Sequence, residues 1–334
     1  DVLDITNKKN IINFCETNNI NIIINCAGYT AVDRAESDVI NADLVNRKAV
    51  KKLAKVSKEK NIKLIHVSTD YVFNGKAYKP YCEEFKTNPI SVYGKTKLDG
   101  ELEMIKINPY NSIIIRTSWL YSSFGNNFVK KILKLGEVND ELGVVFDQIG
   151  TPTYSSDLAR TILDIIPKIN NEKVTIYHYS NEGVLSWYDF AKEIISKANL
   201  NCKINPIETF QYPTPALRPY YSLLNKAKIK KEFGIDIPHW KDSLNSFMSK
   251  NYNKNINILI TGAQGFIAKN FILGLKNYPN ISLQLFVRHD SINRLEELIN
   301  KSDFIFHLAG EVRPNGSDQD LKESNVTLTK DIIN

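Results

Sequence analysis

"KLIHVSTDYVF" (63–73) followed by "YGKTK" (93–97) decides the fold. The first stretch is a β-branched run too short for an ordinary buried helix, and its polar end is Ser68-Thr69-Asp70. The second opens a helical pattern 24 residues beyond Thr69. A buried strand that ends in hydroxyls and then feeds a helix is one half of a strand–helix–strand crossover.

The same grammar extends to both sides. "INIIINCAG" (20–28) is another short apolar run ending in a glycine turn, and "NSIIIRTSWLY" (111–121) is a third. Between the first two runs, roughly residues 38–60 place Ala42, Val45, Ala49, Leu53 and Val56 at helical steps. Near-continuous apolar strands alternating with helices predict an α/β fold, a doubly wound parallel sheet covered on both faces. After residue 150 the pattern turns irregular: a helix follows "GTPTYSSDLA", "TIYHYS" is a strand and "SWYDFAKEIISKA" a helix. "YPTPALRPYYSLLN" reads as a loop, of the kind that builds a smaller substrate domain.

"SKNYNKN" (249–255) is a polar linker, and beyond it the strand–helix alternation restarts with "INILITG". "NCAG" (25–28) and "HLAG" (307–310) each end a buried strand, and a helical asparagine follows each glycine, Asn46 after Gly28 and Asn325 after Gly310. The chain therefore reads as two incomplete copies of one fold. The expected division is a core domain over 1–150 without its glycine-rich opening, a mainly substrate-binding region over 151–248, the linker, and a second partial copy over 256–334.

Composition sets outer bounds. Of 334 residues, 43% are hydrophobic and 24% charged, ordinary for a soluble globular chain. With no apolar run approaching eighteen residues, no membrane association is expected. The net charge of +6 is spread along the chain; it fits a solvated basic surface or attraction of an anionic nucleotide, and no nucleic-acid partner is expected. Cys15, Cys26, Cys82 and Cys202 have neither zinc spacing nor a CxxC pair, so no metal is expected, and unpaired thiols suit the cytoplasm. The start at Asp1, without methionine or signal-like stretch, reads as a fragment.

Two constellations carry chemistry. Tyr93 and Lys97 stand four apart on a helix and can face one cleft. An ammonium beside a tyrosine, whose unperturbed pKa is ~10, favours the phenolate, and such a tyrosine can protonate a carbonyl oxygen as hydride reaches the carbon. Tyr188 and Lys192 repeat the spacing, but no strand-end hydroxyl precedes them, so they read as structural. The second constellation is "LITGAQGFIA" (259–268). Gly262 permits the tight turn, Gly265 lets backbone approach a pyrophosphate, and Ala268 allows close packing, which is a Rossmann dinucleotide pattern on a helix N-terminus. Arg288, after the next strand, reads either as a contact to the 2′-phosphate of NADP or as a surface arginine.

Together "DIT", "NCAGYTAVDRAE", "VSTDYVFNG", "YGKTKLDGE", "RTSWLYSSFGNNFV", "GTPTYSSDLA" and "LRPYYSLLN" resemble, in order over residues 1 to about 248, the dTDP-4-dehydrorhamnose reductase family of extended short-chain dehydrogenase/reductases. The resemblance implies NADPH- or NADH-dependent reduction of a dTDP-4-keto-6-deoxy sugar to dTDP-L-rhamnose, a polysaccharide precursor. It implies Tyr93 as proton donor, Lys97 as its partner and a nicotinamide-ribose contact, and Thr69, ahead of Ser68, as hydrogen-bond donor to the carbonyl. Asp70 and Trp119 would touch the substrate, with a core position as the other reading of Trp119. Arg218 would reach the diphosphate or anchor its loop. Ala27, Gly28 and Tyr29 would line the cofactor, with Asp4 and Ile5 near the adenine, and a homodimer is a candidate assembly. Residues 256–334 resemble the amino-terminal part of another reductase, of the capsular UDP-hexulose 4-reductase type. Rival readings are a non-catalytic nucleotide-binding subunit of the same fold and a reductase of UDP- or GDP-linked sugars. The late glycine loop either completes the first copy or is the remnant of a fusion, and the fusion is the simpler account.

Overall fold

A computed structural model describes residues 3–252, 256–276, 278, 281–310, 319 and 322–333. The chain forms two compact units, Asp1–Met248 and Ser249–Asn334.

The first unit begins with α1 (Lys8–Thr17), β1 (Ile22–Asn25) and the single turn α2 (Val32–Ala35). A continuous helical run follows: α3 (Val39–Asp43), a π-helical turn (Leu44–Ala49) and α4 (Val50–Lys60). Next come β2 (Lys63–Thr69), α5 (Val92–Ile107), β3 (Ile113–Thr117), the short β4 (Leu120–Tyr121) and α6 (Phe128–Gly136). Beyond them lie β5 (Glu141–Val145), β6 (Ile149–Gly150), β7 (Thr153–Tyr154), α7 (Ser155–Ile165), β8 (Thr175–His178) and β9 (Leu185–Ser186). The unit closes with α8 (Trp187–Lys197), β10 (Lys203–Ile207), α9 (Ala227–Phe233) and α10 (Trp240–Asn251). The predicted linker thus starts late. Ser249, Lys250 and Asn251 are exposed residues that continue α10, and 253–255 lie outside the described residues.

The main sheet has the order β1-β2-β3-β8 with every pair parallel. Strand alternation explains why it needs helices on both faces. Ile65, Ile113 and Ile115 enter one core with Leu158, Ile162 and Ile165 of α7. Their neighbours Leu64 and Ile114 enter the opposite core with Ile11, Val50, Leu53 and Met104. A separate parallel pair, β5 with β10, belongs to the irregular second half.

β1 is an edge of this sheet, with Ile24 exposed. Leu3, Ile5, Ile22, Ile24 and Ala27 line an apolar groove of about 360 Å³ along it. The strand ends at Asn25, so Cys26 is exposed instead of lying inside the strand as the sequence reading had it.

In the second unit, β11 (Ile256–Thr261), α11 (Phe266–Leu275), β12 (Ile281–Phe286), α12 (Ile292–Asn300) and β13 (Phe304–His307) form a parallel sheet of order β12-β11-β13. A π-helical turn (Glu323–Thr327) and a last helix (Leu328–Ile333) follow. The internal repeat has a physical form. In the first unit Asn46, on the π turn, sets its Oδ1 3.4 Å from where a Cβ on Gly28 would stand. In the second, Asn325, also on a π turn, sets its Oδ1 3.2 Å from the same place on Gly310.

Candidate active site

The site is built where β2 ends against α5. Ser91 caps α5 by accepting from the Gly94 N–H, and Glu36 Oε1 accepts from the Val92 N–H at 2.9 Å. Close packing of this helix depends on Gly100, because a Cβ there would come within 2.1 Å of Asn46 O. Tyr93 and Lys97 both lie on the buried face of α5. Tyr93 packs edge-on against Tyr71, ring centroids 5.5 Å apart, with the Thr69 side chain near its phenol. Lys97 donates to Val67 O at 2.7 Å. Val67 and Thr69 stand at the end of β2, so the phenol and the amine both meet the last residues of this strand.

The charges differ from the sequence expectation. Burial pushes Tyr93 up to about 12, against the lowering effect of the nearby Thr69 hydroxyl, and Lys97 is not among the causes of the shift. Burial also brings Lys97 down to about 8 despite the carboxylate of Glu101 one turn along. The sequence showed the spacing of the pair but not the desolvation, which here dominates. Tyr93 is consequently a phenol, the form a proton donor requires.

Thr69 donates to Asp70 Oδ1 at 3.0 Å and accepts from the Tyr71 N–H. Asp70 Oδ2 is buried without a well-formed partner, the nearby Ser222 hydroxyl being turned toward Ile149 O at 3.5 Å. Burial raises this carboxyl from 3.8 to about 7. Between those two values the native carboxyl keeps a proton that the unfolded chain has lost, so this group's contribution to stability falls as pH rises through the window. Asp70→Asn is expected to remove that fall, measured as a smaller drop in unfolding temperature between pH 5 and pH 8 than in the unsubstituted protein.

Ser68 is placed differently from the sequence reading, and Arg218 takes the second of its two readings. Ser68 is not directed at a substrate, since its hydroxyl donates to Glu101 Oε1 in the buried pair that Glu101 makes with Arg116. Arg218 is the loop anchor, making a two-pronged ion pair with Asp33 at 2.8 Å on each prong and donating to Thr214 and Ala216. It still lines a cavity of about 470 Å³ together with Asp33, Tyr71, Phe128, Gln148 and Trp187.

Trp119 has a positive φ of 49° and lies flat on Trp187, centroids 3.5 Å apart. A bulky residue in that conformation is strained and persists only where its surroundings hold it. Trp187, at the start of α8, is the functional candidate that sequence reasoning missed. Its only signal is an aromatic at a helix start, and the stack joins residues far apart in the chain. Tyr188 and Lys192 remain a surface pair, the amine 5.6 Å above the ring.

The residues near the turn after β1 also have defined places. Asn46 accepts from the Tyr29 N–H at 2.8 Å and donates to Thr96 Oγ1 on α5, tying Gly28–Tyr29 to the catalytic helix. Ala27 donates through its N–H to Asn25 Oδ1, and its side chain faces the apolar groove with Ile5. Asp4 is exposed and accepts two bonds from Thr6, which hold its carboxyl below the ordinary value.

In the second unit Gly262 takes φ +67°, and a Cβ on it would lie 2.6 Å from the Ala309 backbone. Gly265 is the N-cap of α11 with no capping side chain, and Ala268 is buried in the helix–sheet contact. Arg288 is exposed just after β12. Among the described residues there is no metal-binding cluster, and no helix is long and apolar enough to cross a membrane.

The doubly wound sheet and the Tyr-x-x-x-Lys face of α5 define a Rossmann-type short-chain reductase. Residues 1–253 match the RmlD substrate binding domain, and the chain belongs to the dTDP-4-dehydrorhamnose reductase family. It is 44% identical to the dTDP-4-dehydrorhamnose reductase of Sinorhizobium fredii, over 66% of this chain and 77% of that one. Identity to the enzyme of the same name from Aggregatibacter actinomycetemcomitans is also 44%, over 72% and 85%. The crystal structure of a Clostridium acetobutylicum dTDP-4-dehydrorhamnose reductase superposes with a TM-score of 0.71 at 41% identity, covering 74% of this chain and 87% of that one. A Bacillus anthracis reductase solved in complex with NADP gives 0.70 at 37% identity, with the same coverages.

Proposed function

We propose that this chain is a sugar-nucleotide 4-ketoreductase that converts dTDP-4-dehydro-L-rhamnose to dTDP-L-rhamnose with NADPH or NADH. One observation carries the reading: a buried, protonated Tyr93 on the same helix face as Lys97, one turn along, at the strand end that carries Thr69.

The residues present suit a nicotinamide dinucleotide. The first unit supplies a buried amine, Lys97, whose Nζ is 4.0 Å from where a Cβ on Gly28 would stand, beside the turn that Asn46 holds open. Independently, the second unit has a dinucleotide turn of its own, Gly262–Gly265, leading into a helix N-terminus without a capping side chain, which suits a diphosphate. When bound, the dihydronicotinamide supplies the hydride. Thr69 orients the C4 carbonyl, Tyr93 delivers a proton to O4 as the carbonyl oxygen becomes an alkoxide, and Lys97 holds the ribose. The Trp119–Trp187 stack and the Arg218–Asp33 pair line the sugar-nucleotide side. In the first unit Gly28, Ala27 and Tyr29 edge the cofactor, with Asp4 and Ile5 toward its adenine; in the second unit, as a nucleotide turn of its own, Arg288 stands on the 2′-phosphate side.

The test is consumption of NADPH, followed at its near-ultraviolet absorbance, with the dTDP-4-keto sugar made in place, and identification of dTDP-L-rhamnose as product. Binding of NADPH without turnover would replace this reading with that of a non-catalytic subunit. Turnover only with a UDP- or GDP-linked keto sugar would change the substrate and keep the mechanism.

A further inference from the structure

His66, on β2 directly behind Lys97, has no part in the chemistry described above, yet its ring is fully buried and both of its nitrogens face polar groups. Hydrogen-bond direction can be followed along this row from a fixed starting point. The Ala27 N–H can only donate, and it donates to Asn25 Oδ1 at 3.2 Å. That contact fixes the Asn25 amide, so its Nδ2 faces His66 Nδ1 at 3.0 Å as a donor. His66 Nδ1 must then accept, and a neutral ring that accepts at Nδ1 carries its proton on Nε2. The Nε2 nitrogen lies 3.4 Å from Lys97 Nζ.

We propose that His66 is a positioning residue that sets the charge of Lys97: its Nε2–H points at Nζ, opposing an ammonium and offering a hydrogen bond to the neutral amine. The other groups facing Nζ act in different directions. Val67 O accepts from it, and the charges of Glu101 and of an ionised Cys26 favour the ammonium. Burial opposes them and brings Lys97 down to about 8, and the His66 Nε2–H adds its opposition to that of burial. His66 itself stays neutral, since burial and the charge of Lys97 hold it well below the ordinary histidine value. The row Ala27–Asn25–His66–Lys97 thus connects the turn after β1 to the amine of the catalytic pair. Its role in catalysis rests on the reductase reading, but the charge of Lys97 is measurable without turnover.

The experiment uses the full chain without cofactor, carrying ¹³C at lysine Cε, with Lys97→Met to assign the resonance. Lys97 is expected to titrate near pH 8, where exposed lysines titrate near ~10.4. His66→Gln can turn an amide oxygen toward Nζ, and His66→Asn keeps an acceptor for Asn25 while removing the opposing N–H. Both variants are expected to raise the Lys97 midpoint by about one unit or more, a shift of roughly 1.4 kcal/mol. A midpoint that stays in place in the folded variants, or an unsubstituted Lys97 that titrates with the exposed lysines, would overturn the proposal. Long-range ¹H–¹⁵N correlation on the unsubstituted protein reads the tautomer directly, whether or not the variants fold, and a proton on His66 Nδ1 overturns it as well. Failure of the reductase assay with a low Lys97 midpoint would remove only the catalytic reading.

Discussion

Tyr93→Phe is expected to lower kcat by roughly 10²–10⁴-fold while leaving the binding of NADPH and the unfolding temperature nearly unchanged. The separation follows from what the phenol does in the structure. Its ring fills space against Tyr71, Ala35 and Ala42, and phenylalanine fills the same space. Its oxygen is the proposed proton source, and phenylalanine has none. With the phenol held at about 12, the proton stays in place until a stronger base, the alkoxide forming at O4, takes it. A loss of less than tenfold, with the variant folded and saturated in both substrates, would mean that water or another side chain supplies the proton.

Glu101→Ala is expected to produce the largest loss of stability. Glu101 is 0% exposed and Arg116 is 2% exposed, joined by a two-pronged ion pair with the closest contact at 2.7 Å. Removing the carboxylate strands a buried guanidinium, which costs about 3–5 kcal/mol. In a folding unit of this size, that lowers the unfolding temperature on the order of ten degrees, readable by calorimetry. Arg116 also lies 5.2 Å from the Phe73 ring centroid and close to His178, so its charge retains neighbours but no counterion. Replacing both partners with apolar residues, Glu101→Leu with Arg116→Met, should recover much of the loss, because an ion pair in the interior repays little beyond its own desolvation. If the single variant unfolds within about a degree of the original protein, the pair is not buried as described.

Local periodicity made the framework readable in the sequence. The four-residue step of Tyr93 and Lys97 fixes a shared helix face whatever surrounds it, and the β-branched runs near 22–25, 63–69 and 113–117 require two covering layers. The Gly28–Asn46 and Gly310–Asn325 pairs were also legible, as recurring letters, although not as π turns. What escaped was long-range. Ser68 looked like a ligand contact, and the two readings of Arg218 stayed open, because their partners, Glu101 and Asp33, are 33 and 185 residues away. Trp187 looked like an ordinary helix residue until its ring lay on Trp119. The charge states of Tyr93 and Lys97 depend on how much water folding removes, a quantity that spacing does not encode.

The π turn that carries Asn46 has a consequence for how this chain tolerates length changes. Such a turn holds one residue more than an α turn, and the surplus is absorbed as a bulge at Asn46 while α3 before it and Leu53 and Val56 after it keep their phase. Deleting a single residue, Lys48 for instance, would let the helix close regularly with its flanks still in phase. Leu53 and Val56 would stay in the core, and the bulged asparagine would leave Gly28. A substitution at Lys48 leaves that bulge intact. With a like turn behind Gly310, each unit has a segment where altered length matters more than altered chemistry.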